Sequence, residues 1–193
     1  MPVKILDKYY DENINKIHLS MKNIINIPDS LYELQNLYLL DLSHNYISNI
    51  SNIFIYYDRL MTLKLNKNKI TYIPESIKYL KSLENFDLSD NNISIIPNCM
   101  SELNKLIIFK INDNMINTIP LFFINLTELK HFQYFGNPIE YVHPATQRFL
   151  SRISNINKQV NNIYEDKQNI HGSSIQRSTK ESIIRILSSD THQ

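Results

Sequence analysis

The chain has two glycines, one cysteine, no tryptophan and a single alanine, Ala145, among 193 residues. Two glycines cannot build a glycine-rich loop around a phosphate, which excludes the nucleotide-cradling motifs. One cysteine, Cys99, excludes an intramolecular disulfide framework and points to a reducing, intracellular location. No apolar run approaches the roughly 18 residues needed to cross a bilayer, and the start, Met1-Pro2-Val3-Lys4-Ile5-Leu6, lacks the apolar stretch of a signal peptide. Met1-Pro2 does not suit myristoylation and Thr191-His192-Gln193 is no prenylation box, so no membrane attachment is expected. The sequons at Asn49, Asn92 and Asn125 accordingly carry no glycan expectation. Strong charge is absent too. Seven basic and four acidic residues give residues 144–193 a net +3, and 13 against 15 give the remainder −2, which argues against bulk nucleic-acid binding.

What the chain does have is repetition. Asn45, Asn68, Asn91, Asn114 and Asn137 recur every 23 residues, and Leu37, Leu60, Leu83, Leu106 and Leu129 keep the same interval. Six coils of one solenoid follow, beginning at Ile14, Leu37, Leu60, Leu83, Leu106 and Leu129. Positions one, four and six of each coil are apolar, as in Leu83, Phe86 and Leu88, and the alternation at four and six is that of a half-buried strand of about five residues. Positions eleven and fourteen (Ile93 and Ile96 in that coil) point back into the same core. Asparagine at position nine sits where the chain turns off the strand; its amide can pair with backbone groups that the turn would bury unsatisfied. Lys22 takes this place in the first coil, which therefore reads as an atypical terminal repeat. Pro28, Pro74, Pro97 and Pro120 end the strand pairing on the return leg, whereas Ser51, followed by Phe54, Tyr56 and Tyr57, makes the second coil the least regular.

The string I-P-x-x-I-x-x-L-x-x-L-x-x-L-x-L-x-x-N-x-I, read with any large apolar residue at its I and L positions, spans Ile73–Ile93 and Ile96–Ile116. It resembles the 23-residue intracellular class of leucine-rich repeat, over roughly residues 14–143. The resemblance implies an α/β solenoid, a horseshoe with short parallel strands on its concave face and a helical C-terminal cap. It also implies a scaffold for protein recognition, since the family's members share a fold and not a partner. Residues 1–13 are the expected N-terminal cap, with Val3, Ile5, Leu6, Tyr9 and Tyr10 as cover. Residues 144–160 are the expected C-terminal capping helix, opened by Pro144, with Phe149, Leu150, Ile153 and Ile156 on one apolar face. For residues 161–193 a linker, an amphipathic helix starting at a Ser173/Gln176 capping box and a polar tail are expected. The stretch Ile163–His171, with Ser174-Ile175-Gln176 and Ser182-Ile183, resembles a segment of leucine-rich-repeat proteins from large DNA viruses of amoebae. That resemblance implies a host-cytoplasmic, viral protein.

Catalysis finds little footing. Six histidines are scattered without the spacing of a zinc site. Glu165, Asp166 and His171 are the one tight cluster of acids and imidazole, and polar groups capping a loop explain them better than acid–base chemistry. Cys99 lies in the return leg of the fourth coil, not in an added catalytic domain. No enzyme, cofactor or metal is expected.

Outward strand side chains remain. Position five reads His18, Asp41, Lys64, Asp87, Lys110, Gln133, a ladder of alternating charges; position seven (Ser20, Ser43, Asn66, Ser89, Asn112) is small and polar, leaving room for a ligand backbone or water. Positions two and three place Tyr38, Leu39, Met61, Ile107 and Ile108 where a wet face is expected, interrupted by Glu84 and Asn85. The partner-binding candidates are therefore Tyr38, Leu39, Met61, Lys64, Asp87, Ile107, Ile108 and Lys110 on the concave face. The expected function is that of a monomeric, non-catalytic scaffold binding another protein there. The alternative is an assembly protein self-associating through its C-terminal helices.

Overall fold

The computed structural model describes residues 1–50 and 52–154. Six strands, β3 (Lys16–His18), β4 (Leu39–Asp41), β5 (Thr62–Lys64), β6 (Asn85–Asp87), β7 (Ile108–Lys110) and β9 (His131–Gln133), form one parallel sheet in that order. Each pairs with the next in a 23-residue register, as in Leu40↔Leu63 and Phe86↔Phe109. Five return legs are 3-10 helices: Asp29–Glu33, Asn52–Tyr56, Glu75–Tyr79, Asn98–Glu102 and Leu121–Asn125. Proline holds the N-cap in four of them, with φ between −62° and −76°, the value its ring enforces. The fold is thus a leucine-rich-repeat solenoid.

Each regular strand is three residues long, not five. Backbone bonds between coils continue further, from Leu42 N–H to Lys64 O (2.8 Å) and from His44 N–H to Asn66 O (2.9 Å). The chain then turns at position eight. Met21, His44, Lys67, Asp90 and Asp113 adopt φ of +54° to +57°, and Gly136 adopts +68°, always one residue before the turn column. A left-handed residue there reverses the chain and presents the next side chain inward.

The core is a continuous apolar column: Leu40, Leu63, Phe86 and Phe109 at position four are fully buried, as are Leu37, Leu60, Leu83 and Leu106 at position one. Rings stack along it in the later coils, Phe86–Phe109 at 5.8 Å and Phe109–Phe132 at 5.6 Å between centroids, within the range of favourable offset pairs. The second coil keeps the common return leg despite its sequence, because Phe54 and Tyr57 fill the places held by Leu31 and Leu34 one coil earlier. The buried Tyr57 hydroxyl donates to Leu31 O, and burial pushes its pKa far above the usual phenol value.

At the start, β1 (Val3–Ile5) and β2 (Lys8–Tyr10) form an antiparallel hairpin. Val3 and Ile5 join the core and Tyr10 packs against it, while Leu6 and Tyr9 point outward. At the other end, β8 (Thr118–Ile119) pairs in parallel with β10 (Tyr141–Val142), and residues 144–154 form an α-helix, α1. The His143 ring accepts from Ala145 N–H at 3.1 Å and so caps it, with Pro144 as its first residue. Ile153 enters the core, and Phe149 and Leu150 pack against it. Thr146 is fully buried, its hydroxyl donating to Pro120 O at 3.1 Å. The remainder of the expected cap, residues 155–160 with Ile156, and the expected tail, residues 161–193, lie outside the described residues.

Candidate functional site

The asparagine column binds coil to coil. Asn91 Oδ1 accepts from Ile70 N–H of the preceding coil at 2.9 Å, while its Nδ2 donates to Leu65 O (3.0 Å) and Leu88 O (3.1 Å). Asn45, Asn68, Asn114 and Asn137 repeat the arrangement, Asn45 accepting from Lys22 and Ile24 N–H of the first coil. These amides are inward-facing joints, buried in Asn45, Asn68, Asn91 and Asn114 and half-buried in Asn137.

The strand face divides into a satisfied part and an open part. In column five Asp41 and Asp87 each hold two partners: Oδ1 accepts from the Ser43 or Ser89 hydroxyl (2.7 and 2.6 Å), and Oδ2 faces His18 Nδ1 (3.7 Å) or Lys110 Nζ (3.6 Å). Lys64 stands in register between the two aspartates. The sequence therefore alternates Asp-x-Ser coils with Lys-x-Asn coils, a period of two repeats nested inside the single one. Column seven is mostly closed, with only Ser20 and Asn66 half-buried. Ser43, Ser89 and Asn112 are buried, two of them bound to the aspartates and Asn112 Nδ2 donating to Asp113 at 2.7 Å.

Leu39 is a correction. It is 1% exposed, and so offers a partner nothing. It is a buried hydrophobic residue like those of the core. Lys16 and Thr62 flank it in the strand register. Tyr38, Ile107 and Ile108 are half-buried and Met61 is 39% exposed. Two groups result: Tyr38 and Met61 on neighbouring coils, and Ile107 with Ile108 two coils further on, separated by half-buried Glu84 and Asn85.

Tyr38 and Met61 form one wall of an open groove of about 620 Å³, completed by Asn13, Asn15, Asn36 and Arg59. Lys16 Nζ lies 5.2 Å from the centre of the Tyr38 ring, a cation–π distance. Sequence reasoning missed Asn13, Asn36 and Arg59, which precede the first apolar position of their coils and look like loop residues. Their shared 23-residue spacing is the signal that brings them together.

Among the described residues no group of three His, Cys, Asp or Glu side chains is placed to hold a metal ion, and no helix is long and apolar enough to cross a membrane. Cys99 is buried, and burial, followed by the charge of Glu75, pushes its thiol up to about 11. At neutral pH it is a protonated core group, poorly suited to nucleophilic attack.

The model of the leucine rich repeat family matches residues 58–116. No curated protein matches the sequence. Among solved structures, a leucine-rich-repeat protein of Leptospira interrogans is 27% identical with a TM-score of 0.66, covering 74% of this chain and 36% of its own. The plant peptide hormone receptor RGFR1, solved in complex with RGF2, is 28% identical with a TM-score of 0.61, over 66% of this chain and 22% of the receptor. An internalin of Listeria monocytogenes, at 24% identity and a TM-score of 0.61, covers 74% and 39% and shares the fold. The chain thus spans well under half the length of each.

Proposed function

We propose that the chain is a non-catalytic, intracellular scaffold that binds a partner protein on the concave, strand-bearing face of its solenoid. One observation carries this reading. The charges of column five are matched within the chain, whereas Tyr38, Met61, Ile107 and Ile108 stay partly exposed beside them with no such internal role. Apolar and aromatic groups left open on a regular face are what protein interfaces use. The likeness to a receptor solved with a bound partner supports the reading, and a lone cysteine supports the reducing location.

Five intervals of about 4.8 Å and three residues per strand give a regular face of roughly 24 by 10 Å. A specific interface needs about 800 Å² per partner, so the partner also grips the turns on either side. Affinity capture from the source cell with the full chain, against a Met61→Asp/Ile107→Asp variant of unchanged unfolding midpoint, tests this. Loss of the principal captured protein is the expected result. Capture that survives the double change places binding elsewhere. In that event, a fall in sedimentation coefficient beyond the mass removed, on ending the chain at Gln159, favours self-assembly through the tail.

A further inference from the structure

The groove over the first three coils has a composition unlike the rest of the strand face. Column five closes its charges internally, but the side chains of Asn13, Asn15, Asn36 and Arg59 have no hydrogen-bond or ion-pair partner among the described residues. They are the polar lining of one open groove, together with the Tyr38 ring and the Met61 thioether. No acidic side chain lines it, and its two nearby cations are Arg59 and Lys16.

The rows run across the strands. Asn13, Asn36 and Arg59 hold the place before the first apolar position of coils one, two and three, and Asn15, Tyr38 and Met61 stand two residues along. Adjacent coils are about 4.8 Å apart, so each row is roughly 10 Å long, the length of about three extended residues. Asparagine amides carry both donors and an acceptor and can match the alternating N–H and C=O groups of such a backbone. Arg59 at the end of its row offers a fork that fits a carboxylate. Glu84 follows Met61 on the next coil, its N–H bonded to Met61 O at 2.9 Å, and an acid therefore succeeds the Asn15-Tyr38-Met61 row on that side.

Resting on the proposed strand-face function, we infer that this groove takes a short extended segment of the partner, with an internal Asp or Glu on Arg59 and a large apolar side chain against Tyr38 and Met61. The probe is a library of random octapeptides displayed between fixed linkers, so that no free carboxyl terminus is presented, panned against the full chain. Selected peptides should pair an acidic residue with an apolar one two or three places away. Their affinity should fall about 10- to 100-fold in Arg59→Gln, the loss expected for one charged hydrogen-bonded contact, and Arg59→Glu should select Lys or Arg instead. Both variants alter an exposed side chain, and their unfolding midpoints check that they fold. Peptides with no acidic preference, or insensitive to Arg59→Gln but lost in Ile107→Asp, overturn the inference and leave the strand-face reading standing. Peptides insensitive to both, or no selection at all, also overturn the inference, and the capture experiment with Met61→Asp/Ile107→Asp then decides the strand-face reading by itself.

Discussion

Replacing Asn91 with alanine should lower the unfolding free energy by about 1–3 kcal/mol, because Ile70 N–H and the carbonyls of Leu65 and Leu88 lose their partner in a buried place. Asn92→Ala, at an exposed position one residue along, should be near neutral, so equal urea midpoints for the two would contradict the register. The asparagines were legible at once, since the side chain itself makes the bonds and so the residue type recurs with the period. The left-handed residues before them were not. Met21, His44, Lys67, Asp90 and Asp113 share no chemistry; the turn imposes their backbone and tolerates whatever side chain points outward, and only Gly136 hints at it. That glycine supplies a second test. A Cβ at Gly136 would come within 2.1 Å of Asp113 Oδ1, and a non-glycine φ of this sign costs about 1–2 kcal/mol by itself. Gly136→Ala should therefore lower the urea midpoint, and adding Asp113→Ala should recover only the steric part.

Among elements, the two ends of the solenoid behave differently from its middle. Ending the chain after Tyr141 should uncover the last coil by removing Thr146, Phe149, Leu150 and Ile153, and aggregation or loss of cooperative unfolding is the expected outcome. A truncated protein that stays monomeric with its thermal midpoint unchanged would deny α1 the role of cap. His131 on β9 gives this end a pH dependence. Burial, and secondarily the charge of Lys130, lowers its pKa from 6.5, so the fold favours the neutral ring and the unfolded chain takes up the proton first. Its contribution is present above about pH 6.5 and lost as the pH falls below that value. Urea titrations at about pH 7.5 and 5.5 should show a smaller difference for His131→Gln than for the native chain. The capping helix was legible from Pro144 and its apolar spacing. Thr146 was not, because a hydroxyl's partner, here Pro120 O some 26 residues away, depends on how the helix docks. Leu39 failed for a related reason: alternation tells which face a side chain leaves by, and neighbours on that face decide whether water reaches it.

For the solenoid unit, residues 1–153, stability is expected to sum over coils and the contacts between neighbours, and the sequence made that legible through its period alone. The proposed partner surface was less so, since Tyr38 and Met61 stood out as apolar while Asn36 and Arg59 read as ordinary loop residues until three coils were stacked. Column five carries a different sort of information. Deleting one coil, residues 60–82, sets Asp41 beside Asp87 and should cost more in low salt than in about 1 M salt, where screening is nearly complete. Deleting two coils, residues 60–105, sets Asp41 beside Lys110, and its stability should show no such salt rescue. A salt response shared by both deletions would deny the column any part in pairing. The solenoid therefore has a parity: its coils are interchangeable to the core, yet to the charges they are odd or even, and a chain of this kind can lengthen or shorten smoothly only in steps of two.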